Sequence, residues 1–125
     1  MWRYEQDTGL MWHDDKIVGQ GYSGSKSRGG LNNPEMQDVK NVGPIPRGTW
    51  IIGPPYFSDE HGPFAMPLTC KQWTPRSGFL IHGDSIQHPG DASEGCIIMP
   101  REVRMQVWDS GDRDLEVFCN PKEIV

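Results

Sequence analysis

Residues 78–99 read Gly-Phe-Leu-Ile-His-Gly-Asp-Ser-Ile-Gln-His-Pro-Gly-Asp-Ala-Ser-Glu-Gly-Cys-Ile-Ile-Met: two brief apolar runs, Gly78–His82 and Gly95–Met99, separated by a polar stretch. Each run is too short for a helix and reads most simply as a buried strand, while Pro89-Gly90 marks residues Asp84–Ser93 as a loop. One strand therefore ends on a histidine, His82, and the next begins on a cysteine, Cys96. Immediately downstream, Pro100 suits a first helical position, and Val103 and Val107 at i, i+4 give one buried face. That predicts a single short helix reaching about Asp109 and stopped by Gly111. Leu115–Cys119 alternates apolar and polar residues and predicts a last strand before a polar tail.

Upstream the same β character continues. Trp2–Gln6 and Leu10–His13 flank Asp7-Thr8-Gly9, whose glycine allows the positive φ of a three-residue hairpin loop, and Asp14-Asp15 leads into Ile17–Tyr22. These stretches predict an antiparallel meander of two or three strands. Ser23–Asn33 is polar and glycine-rich and reads as a surface loop, with Asn33-Pro34 biasing it toward a turn. Gly43-Pro44-Ile45-Pro46-Arg47-Gly48 is a stiff lead-in to a strand at Thr49–Ile52, closed by Gly53-Pro54-Pro55. From Tyr56 to Pro75 the pattern is irregular, with one short strand near Ala65–Cys70.

The 125-residue chain is the size of one domain, and no linker or repeat divides it. Glycine and proline make up about a fifth of it, which favours strands and tight turns over helices. Five tryptophans and a formal net charge of only −5 favour folding over disorder. Twelve scattered basic residues against seventeen acidic ones exclude a phosphate-neutralising surface, so nucleic acid is not an expected partner. No window has the roughly 18 apolar residues of a membrane span, and the N-terminus lacks the apolar core of a Sec signal. Cys70, Cys96 and Cys119 include no C-x-x-C pair, so no zinc knuckle is indicated. A Cys70–Cys119 disulfide would leave Cys96 as the free thiol.

Chemistry concentrates at His82 and Cys96. A thiol becomes a useful nucleophile when an imidazole shares or removes its proton, and two strand ends joined by a loop can hold the groups together. Gly83 and Gly95 give the backbone two places to approach a ligand, and the amides of Gly95 and Cys96 could form an oxyanion hole. The competing reading is a small packed core cysteine beside a turn histidine. A metal site from His82, His88 and Cys96 would lack a fourth protein ligand and matches no common zinc spacing, so no metal or cofactor is expected.

At these residues the sequence resembles the L,D-transpeptidase (YkuD-like) superfamily, and within it the branch of type VI secretion L,D-transpeptidase effectors. The resemblance rests on five blocks in order: Gly21-Tyr22-Ser23-Gly24, Asn32-Asn33-Pro34, Gly43-Pro44-Ile45-Pro46-x-Gly48, Arg76–Ser85, and Ala92-Ser93-Glu94-Gly95-Cys96-Ile97. It implies a mainly β domain, a small sandwich or barrel with one short helix after the cysteine. It further implies that Cys96 attacks the carbonyl of the bond between the third residue and D-Ala of a peptidoglycan stem peptide. His82 would act as base and then as acid, and the thioester would pass to water (L,D-carboxypeptidase), to a D-amino acid (exchange) or to a stem amine (cross-linking). Ser93 would orient the nucleophile or simply form its turn. Arg76 and Tyr22 would contact substrate, Arg76 by gripping a carboxylate. Two departures, Glu94 and Ile98, replace a histidine and an arginine or asparagine of the usual pattern and favour hydrolysis or exchange over cross-linking. His88 is a rival base. The missing Sec signal fits an effector made in the cytoplasm, exported by a type VI machine to the target-cell periplasm, and neutralised in its producer by an immunity protein. The alternative from another class is a non-catalytic cell-wall-binding or structural module.

Overall fold

The computed structural model describes residues 1–119, and the expected polar tail lies outside the described residues. The amino-terminal meander forms as expected from β1 (Trp2–Glu5), β2 (Leu10–His13) and β3 (Lys16–Gln20), paired antiparallel. In β1 the pleat buries Trp2 and Tyr4 and exposes Arg3. Asp14 and Asp15, both at positive φ (46° and 70°), make the two-residue turn between β2 and β3, a conformation whose twist matches the flanking strands.

The remaining strands are β4 (Tyr22–Ser23), β5 (Gly48–Ile52), β6 (Tyr56–Ser58), β7 (Gly62–Cys70), β8 (Leu80–His82), β9 (Ile97–Ile98) and β10 (Asp114–Phe118). Helix α1 (Arg101–Asp109) lies between the last two, with Pro100 at its N-cap, one residue earlier than expected. The strand order is β3-β2-β1-β10-β5-β7-β8-β9-β4, with β6 also on β7. Two neighbouring pairs are parallel, β1 with β10 and β8 with β9. The run expected as one strand over residues 17–22 breaks at Gly21, and its halves, β3 and β4, stand at opposite ends of this order. A sheet whose two edges are consecutive in the chain must curl back on itself. The mainly β architecture with one short helix is as expected, and the sandwich or barrel takes the form of a rolled, open mixed sheet.

The stretch 56–75 departs from its irregular reading, because β6 and β7 form a hairpin through residues 59–61 and β7 runs for nine residues. Pro67 is tolerated in β7 because β5 ends opposite it, and Gly53 N donates to its carbonyl (2.8 Å). Trp2, Trp50, Met66, Ile81, Ile97 and Leu115 fill the interior, and α1 covers it with Val103 and Val107. Each such fully buried side chain contributes about 1.5–3 kcal/mol. Among the described residues no helix is long and apolar enough to cross a membrane.

Candidate active site

The site is built on the parallel pair β8–β9. Ile81 lies opposite Ile97, and both are buried in the core. Because side chains alternate, His82 on β8 and Cys96 just before β9 stand together on the other face, two positions apart along the ladder. Leu80 N donates to Cys96 Sγ at 3.3 Å, and the thiol in turn points toward Gly78 O at 3.9 Å. His82 and Cys96 line the same cleft of about 330 Å³, together with His61, Arg76, Gly78 and Gly95.

The turn that carries Cys96 is held at three successive carbonyls. Arg76 Nη2 donates to Glu94 O (2.9 Å), Ser23 Oγ to Gly95 O (2.9 Å), and Ser93 Oγ to Cys96 O (2.7 Å). Ser93 Oγ also accepts from Gly24 N (2.9 Å) and Gly95 N (3.0 Å), and Ser23 Oγ accepts from Ile45 N (2.8 Å). Both serines are buried, so these bonds are protected from water. Only glycine fits at position 95: its φ is +146°, and a Cβ there would collide with the Arg76 guanidinium and the Phe79 ring. One expectation changes as a result. The Gly95 amide is committed to Ser93, which leaves the amide of Cys96, of that pair, to face a substrate oxygen.

His82 is 1 % exposed, and its Nδ1 lies 2.8 Å from Gly83 O. A carbonyl can only accept, so Nδ1 carries the proton and Nε2 presents a lone pair. That Nε2 is buried and has no hydrogen-bond partner among the described residues. The His61 ring stacks on His82 with centroids 4.0 Å apart and planes at 22°. Burial drives the His82 imidazole down to about 4; the Gly83 carbonyl and Asp84 oppose this, while His61 and Arg104 add to it. Burial likewise pushes the Cys96 thiol up to about 11, against the Leu80 N–H and Arg76 and with Glu94. Both shifts favour the neutral forms, a thiol and a desolvated imidazole lining one cleft, in place of the expected ionised pair.

Other expected site residues take different places. Arg76 donates to four backbone carbonyls, those of Gln37 (2.6 Å), Gly43 (3.1 Å), Pro44 (2.8 Å) and Glu94. Its fork thus braces the cleft floor instead of standing ready for a substrate carboxylate. The Tyr22 hydroxyl donates to Asp84 Oδ1 and accepts from Ala92 N (2.9 Å), pinning both ends of the 84–92 loop, while Tyr22 itself is not part of the Cys96 cleft lining. Gly83 contributes its carbonyl to His82 and borders the neighbouring pocket. Glu94 is exposed, and so is His88, which lies outside the Cys96 cleft. Cys70 is a free thiol, so the Cys70–Cys119 disulfide is not formed. Strand β5 separates the strand carrying Cys70 from β10, which ends just before Cys119. Sequence reasoning missed Ser23, read as the start of a surface loop, and His61, read as part of an irregular stretch. Ser23 sits inside a quoted block and could have been found there; His61 carried no local signal.

A family model described as the Tlde1 domain matches residues 18–118, from β3 through β10 and across the whole Cys96 cleft, and the chain belongs to that family. No curated protein and no solved structure gives a significant match.

Proposed function

We propose that this Tlde1-domain chain is a cysteine enzyme of the L,D-transpeptidase kind. It would cleave the bond between the third residue and D-Ala of peptidoglycan stem tetrapeptides, and exchange that D-Ala for other D-amino acids. The observation that carries the reading is the buried, unpartnered Nε2 of His82, a residue that lines the same cleft as Cys96. A desolvated lone pair with no internal partner is costly to keep, and proton abstraction is the work that suits it. The five blocks quoted above support the reading further, because they meet at one place. Asn32 Oδ1 accepts from Ser23 N (3.3 Å), Ser23 holds Gly95 and Ile45, and Arg76 ties Gly43 and Pro44 to Glu94.

Chemically, neither a thiolate nor an imidazolium is stable alone in this cleft, so proton transfer from Sγ to Nε2 accompanies formation of the C–S bond. His82 then returns the proton to the departing amine, releasing D-Ala and leaving a thioester on Cys96. Water or an incoming amine resolves it. We extend the proposal to an antibacterial effector carried by a type VI machine into a target periplasm, with an immunity protein in the producer. Export that persists after deletion of the secretion apparatus would contradict this extension. The burial that pushes the Cys96 thiol up favours a second reading, a non-catalytic cell-wall module with a packed cysteine. Incubation with tetrapeptide muropeptides decides between them: the enzyme yields tripeptide and D-Ala, and the module leaves the tetrapeptide unchanged.

A further inference from the structure

Beyond His82 the cleft continues into a second pocket of about 680 Å³, which shares Glu60, His61, His82 and Ala92 with the first and reaches Arg104. Arg104 comes from the first turn of α1 and is 6 % exposed. Its Nε donates to Met99 O (3.0 Å), and its Nη1 donates to Pro63 O (2.9 Å) and Phe64 O (3.1 Å). All three acceptors are neutral. Among the described residues no carboxylate forms an ion pair with it, and the charged neighbour felt most is another cation, Arg101. A buried positive charge is thus held at the pocket without a counter-ion, an arrangement that calls for an anion.

Nη2 makes none of those bonds. It packs against Gly83, the residue after the base, where a Cβ would come within 2.8 Å of it. The glycine therefore makes room for a hydrogen-bond donor beside His82. The pocket's other charged walls are Glu60, Asp84 and Asp91, all exposed, with Asp84 tied to Ser85 N, Gly90 N and the Tyr22 hydroxyl. A bare anion would meet an acidic rim, and a bare cation would meet Arg104. A molecule carrying both charges close together suits the pattern.

We propose that this pocket is a subsite for a free amino acid, with its α-carboxylate on Arg104 Nη2 and its α-amino group between the rim carboxylates and His82. The inference rests on the reading under Proposed function, in which cleavage releases a free D-amino acid and exchange consumes one. In exchange the acceptor, as its free amine, attacks the thioester carbonyl. The C–N bond forms as the C–S bond breaks, and the amine's proton passes through His82 to the departing sulfur. Arg104 fixes which acceptors are used, because with Nε and Nη1 committed to carbonyls its Nη2 still offers a charge-assisted hydrogen bond that a carboxylate accepts more strongly than a neutral group does.

Binding is tested without a muropeptide, and cleavage of tetrapeptide is scored beside it. D-alanine and D-alaninamide, which differ only in the carboxylate, are titrated by NMR onto the wild-type protein and onto Cys96→Ala, where acyl transfer cannot intervene. D-alanine should bind at least tenfold more tightly than the amide, and Arg104→Lys should weaken D-alanine by at least tenfold while leaving the amide unchanged. Equal affinity for the two ligands, no binding of either, or indifference to Arg104→Lys overturns the subsite. Should Arg104→Lys fail to fold, the two ligands on wild-type protein still decide. Cleavage of tetrapeptide without any carboxylate preference sinks the subsite alone. Carboxylate-dependent binding without cleavage sinks the enzymatic reading alone.

Discussion

Removing the Ser93 hydroxyl should cost more stability than any other single-oxygen change near the cleft. In Ser93→Ala, the Gly24 and Gly95 amides lose their acceptor and the Cys96 carbonyl loses its donor, at a site only 3 % exposed. Each bond contributes about 1 kcal/mol net, and an orphaned buried group costs about 1–3 kcal/mol, so the expected loss is about 3 kcal/mol. That is a large part of the roughly 5–15 kcal/mol that holds a domain together. With an m-value of about 1–3 kcal/mol per molar urea, the unfolding midpoint should fall by about 1–3 M while the transition stays cooperative. Urea titration followed by tryptophan fluorescence measures it, with Ser85→Ala as the control. Ser85 Oγ accepts one exposed bond, from His88 N (2.9 Å), and its loss should stay within about 0.5 kcal/mol. If Ser93→Ala lowers the midpoint no more than Ser85→Ala, the clamp on the Cys96 turn carries no energy and the positioning argument fails.

Iodoacetamide should alkylate Cys96 about a hundredfold more slowly at pH 7 than a model thiol. The rate should rise about tenfold per pH unit toward the thiol's value near 11, and rapid labelling at neutral pH would refute the neutral resting pair. His82, held near 4 when folded against about 6.5 when unfolded, binds fewer protons in the native state across that window. Its contribution to stability, up to about 3 kcal/mol, is complete above pH 6.5 and lost as the pH falls toward 4. Wild type should lose this stability as the pH falls while His82→Gln should not, and parallel profiles would contradict this. Gly95→Ala should lower the thermal midpoint by several degrees, because both its φ and its neighbours exclude a Cβ; an unchanged melting curve would argue against it. Cys96→Ala should abolish muropeptide turnover, and His82→Ala should lower it by about 10²–10⁴-fold with circular dichroism preserved; retained activity in either would reassign the roles.

The parts of the site that were readable from sequence are those set by local pattern. His82 closes one short apolar run and Cys96 opens the next, and such runs become adjacent buried strands; Val103 and Val107 announce α1 through their spacing. What was hidden depends on contacts far along the chain. The two prolines and Gly62 disguise β7, since a proline's fitness in a strand depends on where its neighbour ends. The type of side chain suggested a carboxylate grip for Arg76, but its acceptors, the carbonyls of residues 37, 43, 44 and 94, are assembled only by folding. His61 joins the site through its stack on His82, twenty-one positions away in sequence. Burial, which reverses the expected ionisation of the thiol and imidazole, is a property of the folded cleft alone.

Acid-quenched mixtures of the protein and a tetrapeptide muropeptide, digested and mapped by mass spectrometry, would reveal the covalent intermediate directly. The prediction is a tripeptide acyl group on the peptide that contains Cys96, lost on treatment with hydroxylamine and missing from Cys96→Ala. Tripeptide production with no adduct on Cys96, or production that persists in Cys96→Ala, would contradict a thioester mechanism at this cleft.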